Sequence, residues 1–344
     1  MELITRSPVE EIITTNELKM LLETVPTPKH YIGLEISRVL HLGSLVLTGF
    51  KINDFIKAGV RATVFLADWH TYINDKLGGD WDKIREVSRY YSDAFKFFCP
   101  GVNIVLGSDL YDKTDDYWEN FVRFSKHMTL ARTMRSLTIM GKSEKEKKAL
   151  DLSQLLYPPM QSVDIKALDL DIIHAGMDQR KIHVLVREIF PKLGWKVPIC
   201  VHHHLLPGLS EPVRVVGVRD EIEGAKLSSK MSKSNPASGI SIHDDEKTIK
   251  EKLAKAYCPL GVAQDNPVME LVRYVVFHQF SEFVIERAKK YGGNIVYSKY
   301  EEIKKDFVEK KIHPMDLKNA TATYISRIIE PIRGHFKGRE PVFY

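Results

Sequence analysis

The sequence predicts a Rossmann-like, doubly wound α/β domain with a helical insertion, followed by a C-terminal all-α domain. Three observations predict it. Short apolar runs rich in β-branched residues alternate with segments of helical spacing from Tyr31 to Val201, the rhythm of βαβ units around a parallel sheet. Near residues 110–165 helices replace that alternation. From Asp245 only helical periodicity is left, so the domains are read as 1–220 and 245–344, joined by a loop over 221–244.

In order, residues 9–24 (Val9, Ile12, Ile13, then Leu18, Leu21, Leu22) have helical spacing, ended by Pro26 and Pro28. Tyr31–Glu35 reads as a strand, and a helix follows over 44–57 with Leu45, Leu47, Phe50 and Phe55, stopping at Gly59. Arg61–Ala67 is a β-rich apolar run that reads as a buried parallel strand. Helix 81–98, strand 102–106, a long helix 115–137 with a basic face, and a charged stretch 142–150 come next. A helix interrupted by Pro158-Pro159, strand 171–175, helix 178–190 and strand 197–201 complete the first domain. Beyond it, helices are predicted over 246–256, 267–291, 300–310 and 315–333.

The chain of 344 residues is 44% hydrophobic and 28% charged, an ordinary soluble balance. No apolar run is long enough for a membrane span and the N-terminus lacks a basic-then-apolar signal, so a cytoplasmic location is expected. Cys99, Cys200 and Cys258 are odd in number without C-x-x-C spacing, hence reduced thiols. The net charge of +5 permits an RNA partner without requiring one.

Two short motifs carry chemistry. Lys230-Met-Ser-Lys-Ser234 sets two lysines three residues apart in a Ser/Lys/Gly/Asn-rich run that cannot bury an apolar face. Two ammonium groups on a surface loop suit a substrate that gathers negative charge, such as a triphosphate, although a solvated basic loop has the same composition. His41-Leu-Gly-Ser44 falls on the first strand-to-helix turn. There Gly43 would let backbone approach a phosphate or an adenine, and the helix start favours anions. His41 would donate to phosphate; without the lysine loop it would read as a helix cap.

A third pattern is a polar stripe. Tyr157, Gln161 and Asp164 stand at i, i+4 and i+7 among Leu155, Leu156, Met160, Val163, Ile165 and Leu168. They line one helical face, turned either to solvent or to a ligand that satisfies them. Gly176-Met-Asp-Gln179 opens a helix after a strand, where Asp178 could hold ribose hydroxyls or act as a plain N-cap. Asp68 and His70 follow the second strand of the alternation. His202-His203-His204 cannot converge on one ion, because strand neighbours alternate faces; loop or nucleotide-edge positions are expected and no metal site.

Together Lys230–Ser234 and His41–Ser44 resemble the KMSKS and HIGH signatures of class I aminoacyl-tRNA synthetases. The stripe with Tyr31 is similar to the amino-acid pocket of the tyrosyl-tRNA synthetases of the archaeal and eukaryotic branch. The likeness spans Tyr31 to Arg333. It implies a tyrosine–tRNA ligase that activates tyrosine with ATP, Mg2+ accompanying the nucleotide, and esterifies tRNA(Tyr) as a homodimer. It implies catalytic His41, Lys230 and Lys233, and ATP contacts from Gly43, Ser44, Gly176, Asp178, Lys230, Met231, Ser232, Lys233 and Ser234. Tyrosine would be held by Tyr31, Gly33, Glu35, Ala67, His70, Tyr157, Gln161, Asp164 and Gln179. In that family the tyrosine and first glutamine of the stripe take the substrate ammonium, and the aspartate takes the phenol. Lys126, Arg132 and Arg135 would meet the acceptor stem, while His313 and Asp316 would read an anticodon guanine.

Two positions depart from the family pattern. Ile36-Ser37-Arg38 stands where a Pro-Ser-Gly-like segment is usual, and Ser44 stands where a larger polar residue is common. Either the loop takes another path with Arg38 contacting phosphate, or ATP binding is impaired. A tryptophanyl-tRNA synthetase and a non-catalytic tRNA-binding paralogue stay open as alternatives.

Overall fold

The computed structural model describes residues 1–137, 150–212, 231 and 238–339. It forms two compact units: Met1–Arg38 with Lys51–His204, and Val39–Phe50 with Leu205–Tyr344.

The first unit is built on a six-stranded sheet of β1 (Val9–Ile13), β2 (Lys29–Leu34), β3 (Arg61–Leu66), β4 (Asn103–Leu106), β5 (Ile172–Gly176) and β6 (Ile199–His203), in the order β1-β6-β5-β2-β3-β4. All neighbours are parallel except β1, which runs antiparallel to β6. The chain moves outward from β2 through β3 to β4, then returns to set β5 on the other side of β2. That reversal makes β2/β5 the topological switch point, where ligands of such sheets sit. Its helices are α1 (Glu2–Thr5), α2 (Thr15–Thr24), α3 (Thr48–Lys57), α4 (Asp68–Ile73), α5 (Trp81–Phe98), α6 (Gly107–Asp112), α7 (Tyr117–Ser125), α8 (Leu130–Ser136), α9 (Leu152–Ala167) and α10 (Arg180–Ile189). The first residues of α3 fall in the second unit. One core cluster joins Tyr31, Phe65, Tyr117, Phe124, Val163 and Ile173.

Three expectations are corrected in this unit. Val9–Ile13 is an edge strand, not part of a helix; its β-branched residues pair along β6. The helix starts only after Thr14, where a capping box links Thr14 and Glu17. The helix expected over 115–137 is two, α7 and α8, parted at Lys126–Thr129, with the Thr129 hydroxyl accepting from Arg132 N. Conversely, α9 runs unbroken through Pro158 and Pro159. Both prolines are buried along with Met160, so tertiary packing outweighs the loss of two helical N–H donors, a defect of about 3 kcal/mol or more per proline in an exposed helix.

The second unit is largely helical, with α11 (Glu246–Lys255), α12 (Pro267–Leu271), α13 (Phe277–Gln279), α14 (Tyr300–Val308) and α15 (Pro314–Phe336). The single helix expected over 267–291 is corrected. A π-helical turn, Val272–Val276, separates α12 from α13, and then a hairpin forms from β7 (Phe283–Ile285) and β8 (Ile295–Tyr297). β-branched residues dominate both strands, and Gly292 and Gly293 adopt φ of +94° and +75° between them, conformations that end helices. No helix among the described residues is long and apolar enough to cross a membrane. All three cysteines are free and buried.

Candidate active site

Parallel strands deliver their carboxyl ends to one edge of the sheet, and the predicted pocket residues of the first unit follow that edge. Tyr31 lies on β2, in register with Ile173 of β5 and Thr63 of β3. Two residues on, Gly33 is open to solvent on the same face. A Cβ at Gly33 would sit 3.4 Å from Tyr31 Cε2 and 3.8 Å from Phe65 Cδ1, so the glycine keeps the floor beside Tyr31 clear. Ala67, Asp68 and His70 follow β3, and Gln179 follows β5 by way of Gly176. Tyr157, Gln161 and Asp164 come from α9, turned inward and not to solvent.

At one end sits Asp164, 1% exposed. The Tyr117 hydroxyl donates to its Oδ1 at 2.7 Å, and His70 Nε2 lies 3.7 Å from its Oδ2. Burial pushes the Asp164 carboxyl up to about 8, against the hydrogen bond from Tyr117. Burial likewise drives His70 down to about 3, so its ring is neutral, and neither ring nitrogen has a hydrogen-bond partner. Tyr31 is raised above the ordinary phenol range by burial and by the charge of Asp164, so the two predicted phenol partners do share one environment. Asp68, buried and raised by desolvation, accepts from the backbone N–H groups of Trp69 (2.8 Å) and Ser108 (3.0 Å).

Toward the other end, Asn74 Nδ2 donates to Glu35 Oε1 at 2.8 Å. Glu35 takes a hydrogen bond from the Tyr157 hydroxyl, which burial first and Glu35 second hold well above the usual range. The Tyr157 ring meets His70 edge-on at 4.5 Å. Gln161 Nε2 donates to Gln179 Oε1 at 3.2 Å, while the Gln161 carbonyl oxygen is buried without a partner. An unsatisfied buried acceptor costs about 1–3 kcal/mol. A donor on a bound ligand, such as an ammonium, would remove that cost. Asp178 acts on the same surroundings, its charge raising Tyr157 and His203.

The second unit holds the His41 turn. His41 caps the π-helical turn Leu42–Leu47: its Nδ1 accepts from Gly43 N (3.1 Å) and Ser44 N (3.3 Å). An accepting Nδ1 puts the ring proton on Nε2, so capping and donation coexist in one residue. Ser44 closes the cap by accepting from His41 N at 2.9 Å. That gives the small fourth residue of the motif a structural reason. The turn is pinned by Leu42 N to Ile240 O (3.0 Å) and Ile242 N to Leu40 O (3.1 Å). Leu206 touches both motifs. Its Cβ would meet a Cβ on Gly43 at 3.9 Å, and its carbonyl accepts from Met231 N at 2.8 Å. Met231 is 5% exposed and packs on Gly239. Lys230, Ser232, Lys233 and Ser234 lie outside the described residues.

The Ile36-Ser37-Arg38 departure has a local basis. Ile36 N donates to Thr71 Oγ1 (2.8 Å), and the Tyr91 hydroxyl donates to Arg38 O (3.0 Å). Arg38 is not among the residues with positive φ, so this path has no need of glycine. Of the basic residues expected on one helix, Lys126 ends α7 while Arg132 and Arg135 lie on α8. Arg132 forms a two-pronged pair with Glu188. His313 caps α15 by accepting from Met315 N (3.2 Å), with Asp316 in the first turn.

The histidine triplet is corrected from loop positions: His202 and His203 are buried within β6. His202 meets His183 (3.0 Å) and Glu11 (2.8 Å), and His203 meets His174 (2.7 Å). The alternation that forbade a shared ion sends them to different partners. Sequence reasoning missed Tyr117 and Tyr111. A buried aspartate demands donors, but a tyrosine 47 positions away carries no local mark of being one.

Known proteins bear on these arrangements. A family model described as class I tRNA synthetases (W and Y) matches residues 27–330. The tyrosine–tRNA ligase of Thermococcus sibiricus is 45% identical, covering 99% of this chain and 96% of its own; that of Pyrococcus furiosus is 44% identical, covering 98% and 94%. The solved tyrosyl-tRNA synthetase of Pyrococcus horikoshii, complexed with L-tyrosine, superposes with a TM-score of 0.90 at 43% identity, covering 98% and 95%. That of Archaeoglobus fulgidus, also complexed with L-tyrosine, gives 0.84 at 36% identity, covering 97% of each chain.

Proposed function

The chain belongs to the class I tRNA synthetases of the tryptophan and tyrosine group, and on that premise we propose how its residues divide the work. The activity is that of a tyrosine–tRNA ligase using ATP: tyrosine is activated, then carried to tRNA. The substrate phenol donates to Asp164 beside Tyr31, with the ring over Gly33 and against Ala67 and His70. Tyr157, Gln161 and Gln179, backed by Glu35, take the ammonium and orient the carboxylate. That carboxylate attacks the α-phosphorus of ATP and pyrophosphate leaves. A terminal ribose hydroxyl of tRNA then attacks the acyl carbon and AMP leaves. Positioning and charge stabilisation supply the rate.

For the nucleotide, His41 Nε2–H with the backbone at Gly43 and Ser44 meets phosphate, Gly176 and Asp178 hold the ribose, and Met231 anchors the loop whose Lys230, Ser232, Lys233 and Ser234 reach the triphosphate. Mg2+ enters with the triphosphate as part of the substrate. We assign residues 1–220 to catalysis and 245–344 to anticodon binding, with His313 and Asp316 at the guanine. Lys126, Arg132 and Arg135 meet the acceptor stem, Arg132 by exchanging its Glu188 partner. Trp118, Val122, Leu130 and Leu152, all exposed on α7, α8 and α9, support a homodimer through the insertion. The compartment is the cytoplasm.

The observation that carries this reading is the pairing of a sealed carboxylate, Asp164, with an orphaned acceptor, Gln161, on one inward helical face. ATP–pyrophosphate exchange with each of the twenty amino acids tests it. Tyrosine alone should drive exchange; exchange driven by tryptophan instead would overturn it.

A further inference from the structure

We infer that Tyr117 is a positioning residue for substrate choice: by occupying Oδ1 of Asp164 it leaves Oδ2 as the acceptor for the substrate phenol. The inference rests on the tyrosine reading of this pocket and assigns a role to a residue outside the predicted set.

Tyr117 opens α7 and points inward, 0% exposed, while its neighbour Trp118 points out. Its single hydroxyl proton has two acceptors in reach, Asp164 Oδ1 at 2.7 Å and Met160 O at 3.4 Å. The shorter, charge-assisted contact takes it. On the far side, His70 is at 3.7 Å from Oδ2, outside hydrogen-bond distance. Oδ1 is thus held by Tyr117, and His70 leaves the lone pairs of Oδ2 to a hydroxyl donor. Tyr111 packs against Tyr117 with ring centroids 4.3 Å apart and planes tilted by 38°, which holds the ring that carries the donor.

The groups facing Asp164 are Tyr117 from α7, Tyr111 from α6, Asp68 and His70 from α4, and Tyr31 from β2. None is a cation, since His70 is neutral by burial. The hydroxyls of Tyr117 and Tyr111 are then what counters, in part, the desolvation that raises this carboxyl to about 8. Removing the Tyr117 hydroxyl should favour the protonated acid, a form that accepts poorly from a phenol.

Tyr117→Phe keeps the ring and deletes the donor. Equilibrium binding of tyrosine and of phenylalanine, between pH 6 and 8.5, reads the effect. At pH 7 tyrosine affinity should fall about tenfold, the usual size for a hydrogen bond to a charged group, with phenylalanine affinity little changed. The tyrosine-specific rise of affinity with pH should shift to higher pH in the variant. Equal losses for both amino acids, or an unmoved pH profile, would overturn the role. In an Asp164→Asn background, Tyr117→Phe should cost nothing further; a full additional loss also overturns it. If Asp164→Asn itself leaves the preference for tyrosine over phenylalanine intact, the pocket reading fails instead.

Discussion

The proposed tyrosine pocket and the His41 turn are built by opposite means. In the pocket, each key contact joins residues far apart in sequence: Tyr117 with Asp164, Glu35 with Asn74, Gln161 with Gln179. In the turn, His41, Gly43 and Ser44 satisfy one another within four residues. The proposed pocket would recognise a side chain through buried side-chain atoms whose protonation is set by desolvation. The turn, in the proposed role, would meet phosphate through backbone and a capping ring. Specificity for a small ligand takes many long-range contacts, whereas anion binding at a helix start needs one local conformation.

The largest effect should come from the motif proposed to work only in the transition state. Lys233→Ala is expected to lower the rate of tyrosine activation by about 100-fold or more, with tyrosine affinity unchanged. Pre-steady-state pyrophosphate release and equilibrium binding separate the two, and equal losses in both would erase the division of labour. Next, Asp164→Asn should reduce tyrosine kcat/KM by about 10- to 100-fold while sparing phenylalanine. In the wild-type enzyme the sign with pH is fixed by the same carboxyl. Its ligand-free value is about 8, and a donating phenol lowers it, so tyrosine binding should release a proton below pH 8 and tighten as pH rises to that point. Calorimetry in two buffers of different ionisation enthalpy measures that proton; uptake in place of release reverses the assignment of donor and acceptor.

Acid should distinguish the two units. His30 is pushed down to about 3 and His203 to about 4 by burial, and His174 and His183 are also lowered. All four are in the first unit. Depressed histidines bind protons in the unfolded chain first. Their contribution is intact above pH 6.5 and declines below it, by about 1.4 kcal/mol per pH unit for each histidine kept neutral. Hydrogen exchange at pH 5 should show protection lost from residues 29–34 and 172–203 before α15; the reverse order contradicts this. The smallest effect is expected from Gly33→Ala. Contacts of 3.4 Å and longer leave the fold intact, while a methyl on the pocket floor raises KM for tyrosine several-fold with little change in kcat, as steady-state exchange would show.

Much of this was legible in the chain. The βαβ rhythm predicted the parallel sheet because a buried strand must be apolar along its length. The i, i+4, i+7 stripe predicted a shared face because helical geometry is local. What was misread was settled elsewhere in the fold. Val9–Ile13 is a strand because β6 offers it an edge, and α9 continues through Pro158-Pro159 because its surroundings bury them. Thr14-Thr-Asn-Glu17 and the Gly292-Gly293 pair did carry usable signals, a capping box and a hairpin turn.

By itself the sequence determined the fold class, the local conformation of the His41 turn and the shared helical face of Tyr157, Gln161 and Asp164, since each follows from periodicity or contact within a few residues. Only the tertiary structure decided which donor faces Asp164, why Arg38 needs no left-handed backbone, and where the histidine triplet points. Those depend on desolvation and on partners brought together from distant positions, which no local spacing encodes.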